Sequence, residues 1–204
     1  MRTLVIDTAT DACSVALFDD GDCQAGEWRL LGRGHAENVI PMIAALPERG
    51  RARRVAVSNG PGSFTGVRIG IAAARALAFA WGAELVGYPT LSLVAAMARA
   101  QEGNDPIAVA MTGGHGEWFV ARFDEAGDAT MAPASMRPAQ AIAACADAVV
   151  AGTQAKALVT ARGHGHALEL WPDARSFALL PSGELRPDPA PIYGRPPDAK
   201  IAAL

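Results

Sequence analysis

The residues with the clearest chemical potential are Asp7, at the end of a short apolar run, and the glycine-rich stretch Gly60-Pro61-Gly62-Ser63-Phe64-Thr65-Gly66. A carboxylate at a strand end could help hold Mg²⁺ and phosphates, although no second carboxylate pairs with it. A glycine loop feeding a helix can cradle a phosphate, because its free amides and the helix dipole point at the ligand. The loop fails the stricter tests. No Gly-Lys-Ser/Thr follows it, and Gly60, Gly62 and Gly66 do not give the dinucleotide spacing. Proline at position 61 spoils a nucleophile elbow at Ser63. The competing reading is a tight turn in which Ser63 or Thr65 caps the next helix.

Other chemistry is sparse. His35, His115, His164 and His166 form no metal spacing, and no His-Glu-x-x-His occurs. His164 and His166 sit in a glycine-rich turn and read as solvated; His35-Ala36-Glu37 reads as a helix start with a capping or solvent role. Cys13, Cys23 and Cys145 are an odd number of thiols, which points to reduced cysteines and not a disulfide framework. Arg49, Arg51, Arg53 and Arg54 form one basic run, read as a solvated edge that could alternatively touch a phosphate backbone.

The elements that position these residues follow from periodicity. Leu4 to Ile6 is a strand, Cys13 to Asp19 a second, and Asp20-Gly21 a hairpin signal returning as Asp22 to Leu30. That register sets Phe18 opposite Cys23 and Cys13 opposite Trp28. His35 to Leu46 is a helix, with Val39, Ile43 and Leu46 on one face and Pro41 inside it. Arg53 to Ser58 is a buried strand, followed by the glycine loop and a helix to Trp81 with Gly82 as its C-cap. Glu84 to Tyr88 is a strand and Thr90 to Arg99 a helix. After a linker at 101–106 come strands at Ile107 to Met111, Trp118 to Phe123 and Ala148 to Ala151. Helices follow near Pro138 to Ala146 and Thr153 to Ala161. The run from Pro187 to Pro197 holds five of fourteen prolines and reads as extended.

The helix after the loop is unusual. Between Val67 and Trp81 its only charges are Arg68 and Arg75, seven apart and so on one face. A helix apolar nearly all round must be covered on most sides, by its own core or by a second protein.

Composition sets the frame. The 204 residues are 50% hydrophobic and 19% charged, with a formal charge of −3. That excludes intrinsic disorder and argues against a dedicated nucleic-acid binder. Alanine supplies 44 residues, and Lys156 and Lys200 are the only lysines. Neither the apolar run before Asp7 nor the stretch Gly66 to Ala98, broken by Arg68, Arg75 and Glu84, reads as a signal peptide or a membrane span. The expectation is a cytoplasmic α/β protein of two lobes, 1–103 and 104–204.

Three stretches resemble the TsaB (YeaZ) family. They are Leu4-Val-Ile-Asp-Thr-Ala-Thr10 with Cys13 to Leu17, Gly34-His-Ala-Glu37 with Pro41, and Gly60 through Gly70. Pro191-Ile-Tyr193, Arg195 and Pro197 to Lys200 are similar to that family's C-terminal signature. Thr112-Gly-Gly-His-Gly-Glu117 stands where the family tends to have an Asp-Ala-Arg pattern.

The resemblance implies an actin-like (ASKHA, ribonuclease H-like) fold of two mixed-sheet lobes, the second reduced. It implies a non-catalytic scaffold in the making of tRNA N6-threonylcarbamoyladenosine, with no catalytic or metal site. Its implied partners are a TsaD-like catalytic subunit and a TsaE-like ATPase, or a second copy of itself when alone. tRNA would be met only indirectly and no membrane is involved. No intrinsic cofactor is implied, though a nucleotide at the partner interface is compatible with it. The implied pairing helices place Val39, Ile43, Leu46, Val67, Arg68, Ile71, Ala74, Arg75 and Ala78 at the interface. The alternatives are an actin-fold ATPase or phosphotransferase, drawing on Asp7 and Gly60–Gly66, and a metallopeptidase-like protein.

Overall fold

A computed structural model describes residues 1–194; the signature residues Arg195 and Pro197 to Lys200 lie outside them. The first sheet is built from β1 (Thr3–Asp7), β2 (Ala12–Asp19), β3 (Asp22–Leu30), β4 (Arg54–Ser58) and β5 (Glu84–Tyr88). α1 (His35–Ala45), α2 (Phe64–Trp81) and α3 (Thr90–Glu102) follow β3, β4 and β5. The second sheet contains β6 (Ile107–Thr112), β7 (Trp118–Phe123), β8 (Ala129–Met136), β9 (Val149–Ala151) and β10 (His166–Leu168), with α4 (Pro138–Ala144) and α5 (Ala155–Arg162). A two-residue strand, β11 (Arg186–Pro187), joins the edge of the first sheet.

The two sheets repeat one plan. In space the first runs β3-β2-β1-β4-β5 and the second β8-β7-β6-β9-β10. Each opens with an antiparallel meander and adds two parallel strands through helical crossovers, as parallel pairing requires. The central strands are covered on both faces. In β1, Leu4 and Ile6 face α1 and α2, whereas Val5 faces α3. In β6, Ile107, Val109 and Met111 face α3, and Ala108 and Ala110 face α4 and α5. Helix α3 is therefore the shared middle layer: Leu93 packs on the first sheet and Leu91, Val94 and Ala98 on the second.

Four expectations are corrected. The hairpin register slips at a bulge between Leu17 and Phe18, which leaves Gln24 unpaired. Phe18 does face Cys23, but Cys13 faces Arg29 and Trp28 faces Ser14. The second lobe does not hold all of 104–204. After β10 the chain returns to the first lobe, where the 3₁₀ turn at Ala174–Leu179 packs Ala174 and Phe177 against Tyr88 and Phe18. His35 is buried, not solvated, with Nε2 3.3 Å from the Ala12 carbonyl. His166 belongs to β10 instead of a turn, although it is solvent-facing and 3.5 Å from Glu102.

Helix α2 is long and apolar enough to cross a membrane by length and composition. Its Val67, Ile71, Ala74 and Ala78 side nevertheless lies in the first lobe's own core.

Candidate functional site: the glycine loop and the interlobe cleft

The C-terminal ends of β1 and β4 meet at the glycine loop. Ser63 caps α2 by accepting the Gly66 amide at 3.2 Å. The loop then lies directly on the β1–β2 turn. The Ser63 amide donates to the Ala9 carbonyl at 2.7 Å, and Thr8 Oγ1 donates to the Gly66 carbonyl at 2.7 Å. A Cβ at Gly62 or Gly66 would fall inside 3.0 Å of the Ala9 or Thr8 carbonyl oxygen, and one at Gly70 would strike Thr8 Oγ1. The glycines are there because backbone meets backbone. The Gly60–Pro61 bond is cis.

Asp7 is fully buried beneath this junction. Its Oδ1 accepts the Ala9 amide at 3.0 Å and its Oδ2 accepts the Tyr88 hydroxyl at 3.2 Å. Ser58 also bonds it and lies 2.7 Å from Thr90 Oγ1. Burial pushes the carboxyl up to about 6, against the opposing pull of the Ala9, Ser58 and Tyr88 hydrogen bonds. Burial and the neighbouring Asp7 likewise push the Tyr88 hydroxyl far up. Among the described residues no three His, Cys, Asp or Glu side chains gather as a metal site. The thiols are unpaired, and burial raises Cys13 to about 12 and Cys145 to about 11, which leaves both inert.

Above the loop, between the lobes, lies a cleft of about 800 Å³. Ala9 to Asp11, Gly62 to Phe64 and Arg68 form one wall; Thr112 to His115, Phe119, Ser135 and Thr153 form the other. Trp171 and Ile192 to Gly194 close the sides. The Arg68 guanidinium sits 3.3 Å from the Phe64 ring centroid and 5.0 Å from that of Tyr193, and it donates to the Tyr193 hydroxyl and the Phe64 carbonyl. Residues 188–194 strap both lobes. The Ile192 amide bonds Asn59 at 2.7 Å, Arg75 Nη2 bonds Pro189 at 3.0 Å, and the Gly194 carbonyl accepts the Ser135 amide at 2.9 Å.

Not all the residues singled out in the sequence are brought together. Gly60 to Gly66 form one built unit with Asp7. Of the nine interface candidates, Val39, Ile43, Leu46, Val67, Ile71, Ala74 and Ala78 are buried in the first lobe's core, so a partner cannot reach them. Arg68 lines the cleft and Arg75 holds the strap. The reason is the 3.6-residue period itself: the positions that marked the helices as amphipathic are the inward ones. The outward positions include Glu37, Ile40, Pro41 and Ala44 on α1, and Ala72, Arg75, Ala76, Phe79 and Ala80 on α2. Phe79 is 92% exposed. In the basic run, Arg54 pairs with Glu84 at 2.8 Å, and Arg49, Arg51 and Arg53 face solvent. Tyr88 and Trp171 were not picked out in the sequence. A lone tyrosine ending an apolar strand was the one available signal for the first; the second had none.

A family model described as TsaD, tRNA N6-adenosine threonylcarbamoyltransferase, matches residues 29–166. The tRNA threonylcarbamoyladenosine biosynthesis protein TsaB of Escherichia coli K12 is 40% identical over 128 residues, 60% of this chain and 55% of that protein. The solved structure of YeaZ from Pseudomonas aeruginosa superposes with a TM-score of 0.78 at 27% identity, over 94% of this chain and 99% of that one.

The chain belongs to the TsaB (YeaZ) family.

It spans about half the length of the curated relatives it matches. A more distant likeness, to the ethanolamine utilization protein EutJ of Carboxydothermus hydrogenoformans, has a TM-score of 0.50 at 17% identity and concerns the fold alone. The fold is the two-lobed actin-like α/β class that the family resemblance implied.

Proposed function

We propose that this chain is a non-catalytic pairing subunit in tRNA threonylcarbamoyladenosine synthesis. In this reading it pairs with a TsaD-like catalytic subunit, which transfers threonylcarbamoyl from threonylcarbamoyl-AMP to N6 of the adenosine beside the anticodon. A TsaE-like ATPase joins that complex, the chain pairs with itself when alone, and tRNA is met through the partner in the cytoplasm. Relatives named for this pathway motivate the assignment. The observation that carries it is the outer face of α1 and α2. Ile40, Pro41 and Ala44 of α1 and Ala72, Ala76, Ala80 and the 92% exposed Phe79 of α2 all face solvent, with Glu37 the one carboxylate on that side of α1. Small residues around a projecting aromatic allow close helix approach and supply an anchor of the kind that dominates interfaces.

The loop geometry supports the absence of an intrinsic phosphate site. Two donors of the β1–β2 turn that could serve a phosphate are used internally: the Ala9 amide by Asp7 and the Thr8 hydroxyl by the Gly66 carbonyl. A nucleotide at the partner interface remains compatible with this arrangement.

The test is co-purification of the full chain with its TsaD-like paralogue. Phe79→Asp should abolish pairing while leaving a cooperatively folded chain, because Phe79 touches solvent and not the core. Retained pairing in the Phe79→Asp, Ala76→Asp double variant refutes the reading. Calorimetry with Mg-ATP addresses the ATPase alternative: micromolar binding with turnover by the isolated chain would restore it.

A further inference from the structure

The interlobe cleft holds more aromatic surface than a seam between two lobes requires. Phe64, Ile192 and Tyr193 are 64%, 37% and 49% exposed, and all three line it. Phe119 and Trp171 add two more rings. Leaving such side chains open to water forgoes about 25 cal/mol for each Å² that burial would remove from solvent. At about 800 Å³ the space falls in the ordinary range of small-molecule sites, roughly 300–1,000 Å³. Its form is also that of such sites, mostly apolar with a few polar groups converging.

The charge on the walls restricts the occupant. Arg68, Asp11 and His115 are the ionisable side chains that line the cleft. A guanidinium has five N–H donors in a planar fork. The Phe64 carbonyl and the Tyr193 hydroxyl take two, leaving an edge for one anionic group. A polyphosphate would bring several charges to a single arginine, beside the Asp11 carboxylate. No acidic or histidine cluster among the described residues could hold a divalent ion to offset them. The loop that might have helped is already bonded to the β1–β2 turn. Apart from His115, the opposite wall presents hydroxyl and apolar groups: Thr112 Oγ1 lies 3.0 Å from Thr153 Oγ1 and 2.8 Å from Gln154 Nε2, and Ser135 Oγ donates to Glu117 Oε2 at 2.6 Å.

We infer that the interlobe cleft binds a small planar aromatic molecule carrying at most one negative charge. The ring lies against Phe64 and Tyr193, and the anionic group meets the open edge of Arg68. Phe64 and Arg68 are on the first turns of α2, and Tyr193 is held by the strap through Ile192 and Gly194, so the wall is positioned before any ligand arrives. This site is separate from the outer face of α1 and α2, and it goes beyond the pairing role.

Calorimetric titration of the full chain with naphthalene-2-sulfonate, a rigid aromatic monoanion, tests this. The expected result is a saturable one-to-one isotherm. Naphthalene-1,3,6-trisulfonate should bind at least tenfold more weakly, because the added charges have no partner, and cyclohexanesulfonate likewise, because it cannot stack. Phe64→Ala with Tyr193→Ala should weaken the monoanion at least tenfold, and Arg68→Gln several-fold. Leu179→Ala, at an exposed position outside the cleft, should leave the isotherm unchanged. Both ring positions are solvent-exposed, so a matching thermal melt establishes that the variants are folded. No saturable heat, preference for the trianion, or sensitivity to Leu179→Ala instead of the cleft variants would each overturn the proposal. Pairing measured through Phe79→Asp is a separate readout, so either conclusion can fail without the other.

Discussion

Gly66→Ala tests whether the glycine loop is a clamp between backbones or a ligand cradle. The added methyl falls inside 3.0 Å of the Thr8 carbonyl oxygen, where ordinary contact begins near 3.4 Å. The obstacle is backbone and cannot swing aside, so either the first turn of α2 or the β1–β2 turn must move. Overpacking of this kind costs about 1–3 kcal/mol. Displacement also breaks the 2.7 Å bond from Thr8 Oγ1 to the Gly66 carbonyl, which contributes about 0.5–1.5 kcal/mol. Alanine returns up to ~1 kcal/mol through its better helix propensity. The net is a loss of about 2 kcal/mol, which for a chain of this size lowers Tm by about 4–8 °C. Scanning calorimetry of wild type and variant measures it directly. Gly114→Ala is the control. A Cβ there meets nothing within 4 Å, and the change should stay within about 0.5 kcal/mol. A Gly66→Ala protein that melts with the wild type would refute the clamp and return the loop to the list of ligand sites.

Asp7 should give the protein a pH signature. Its carboxyl is raised from 3.8 to about 6, so the folded state holds a proton that the unfolded state releases. Its contribution to stability is therefore complete below about pH 4 and is lost as pH rises through 6. About two units at ~1.36 kcal/mol each give about 3 kcal/mol, and Asp7→Asn should remove this slope from urea-derived stabilities between pH 4 and 7. Tyr88→Phe deletes a bond that favours the ionised carboxylate, so the same transition should shift to higher pH. Ile71→Ala, 3% exposed in the first core, should cost about 2–4 kcal/mol with pairing intact once folded, the opposite outcome to Phe79→Asp. Arg122→Gln breaks the two-pronged bond to the buried Asp147, at 2.7 and 3.0 Å. It should lower stability by about 1–3 kcal/mol, less than a fully buried pair because the arginine is a third exposed.

What the sequence disclosed divides along a physical line. The central strands of the first sheet and its three helices were legible because β1 and β4 are buried on both faces, so apolar runs such as Leu4 to Ile6 are continuous; the exposed edge strand β3 was legible because Asp20-Gly21 announces its hairpin. β8 was missed because it is a half-exposed edge strand of small residues around Pro133, a position where proline is tolerated and pattern is weak. β10 and β11, of three and two residues, are held by pairing with partners distant in sequence and not by their own propensity. The hairpin register failed at a bulge, which no composition rule announces. In the site, Asp7 and the glycine loop were found, but their relation to each other was not. That Gly66 lies on Thr8 is a contact across 58 residues, invisible to spacing. Most of the interface candidates lie inward, since the periodicity that located the helices reports which side is already occupied.

The return of residues 174–187 to the first sheet bears on how the chain is made. Tyr88 and Phe18 leave the ribosome well before Phe177, which covers them, and before β11, which closes their sheet. At synthesis rates of ~5–20 residues per second, the roughly 90 residues separating Tyr88 from Phe177 represent about 5–20 s. During that interval the face of β1, β4 and β5 around Tyr88 has only α3 to shelter it. Completion of the first lobe thus waits on emergence of the second, and a stalled or truncated chain would present that apolar face to chaperones and proteases.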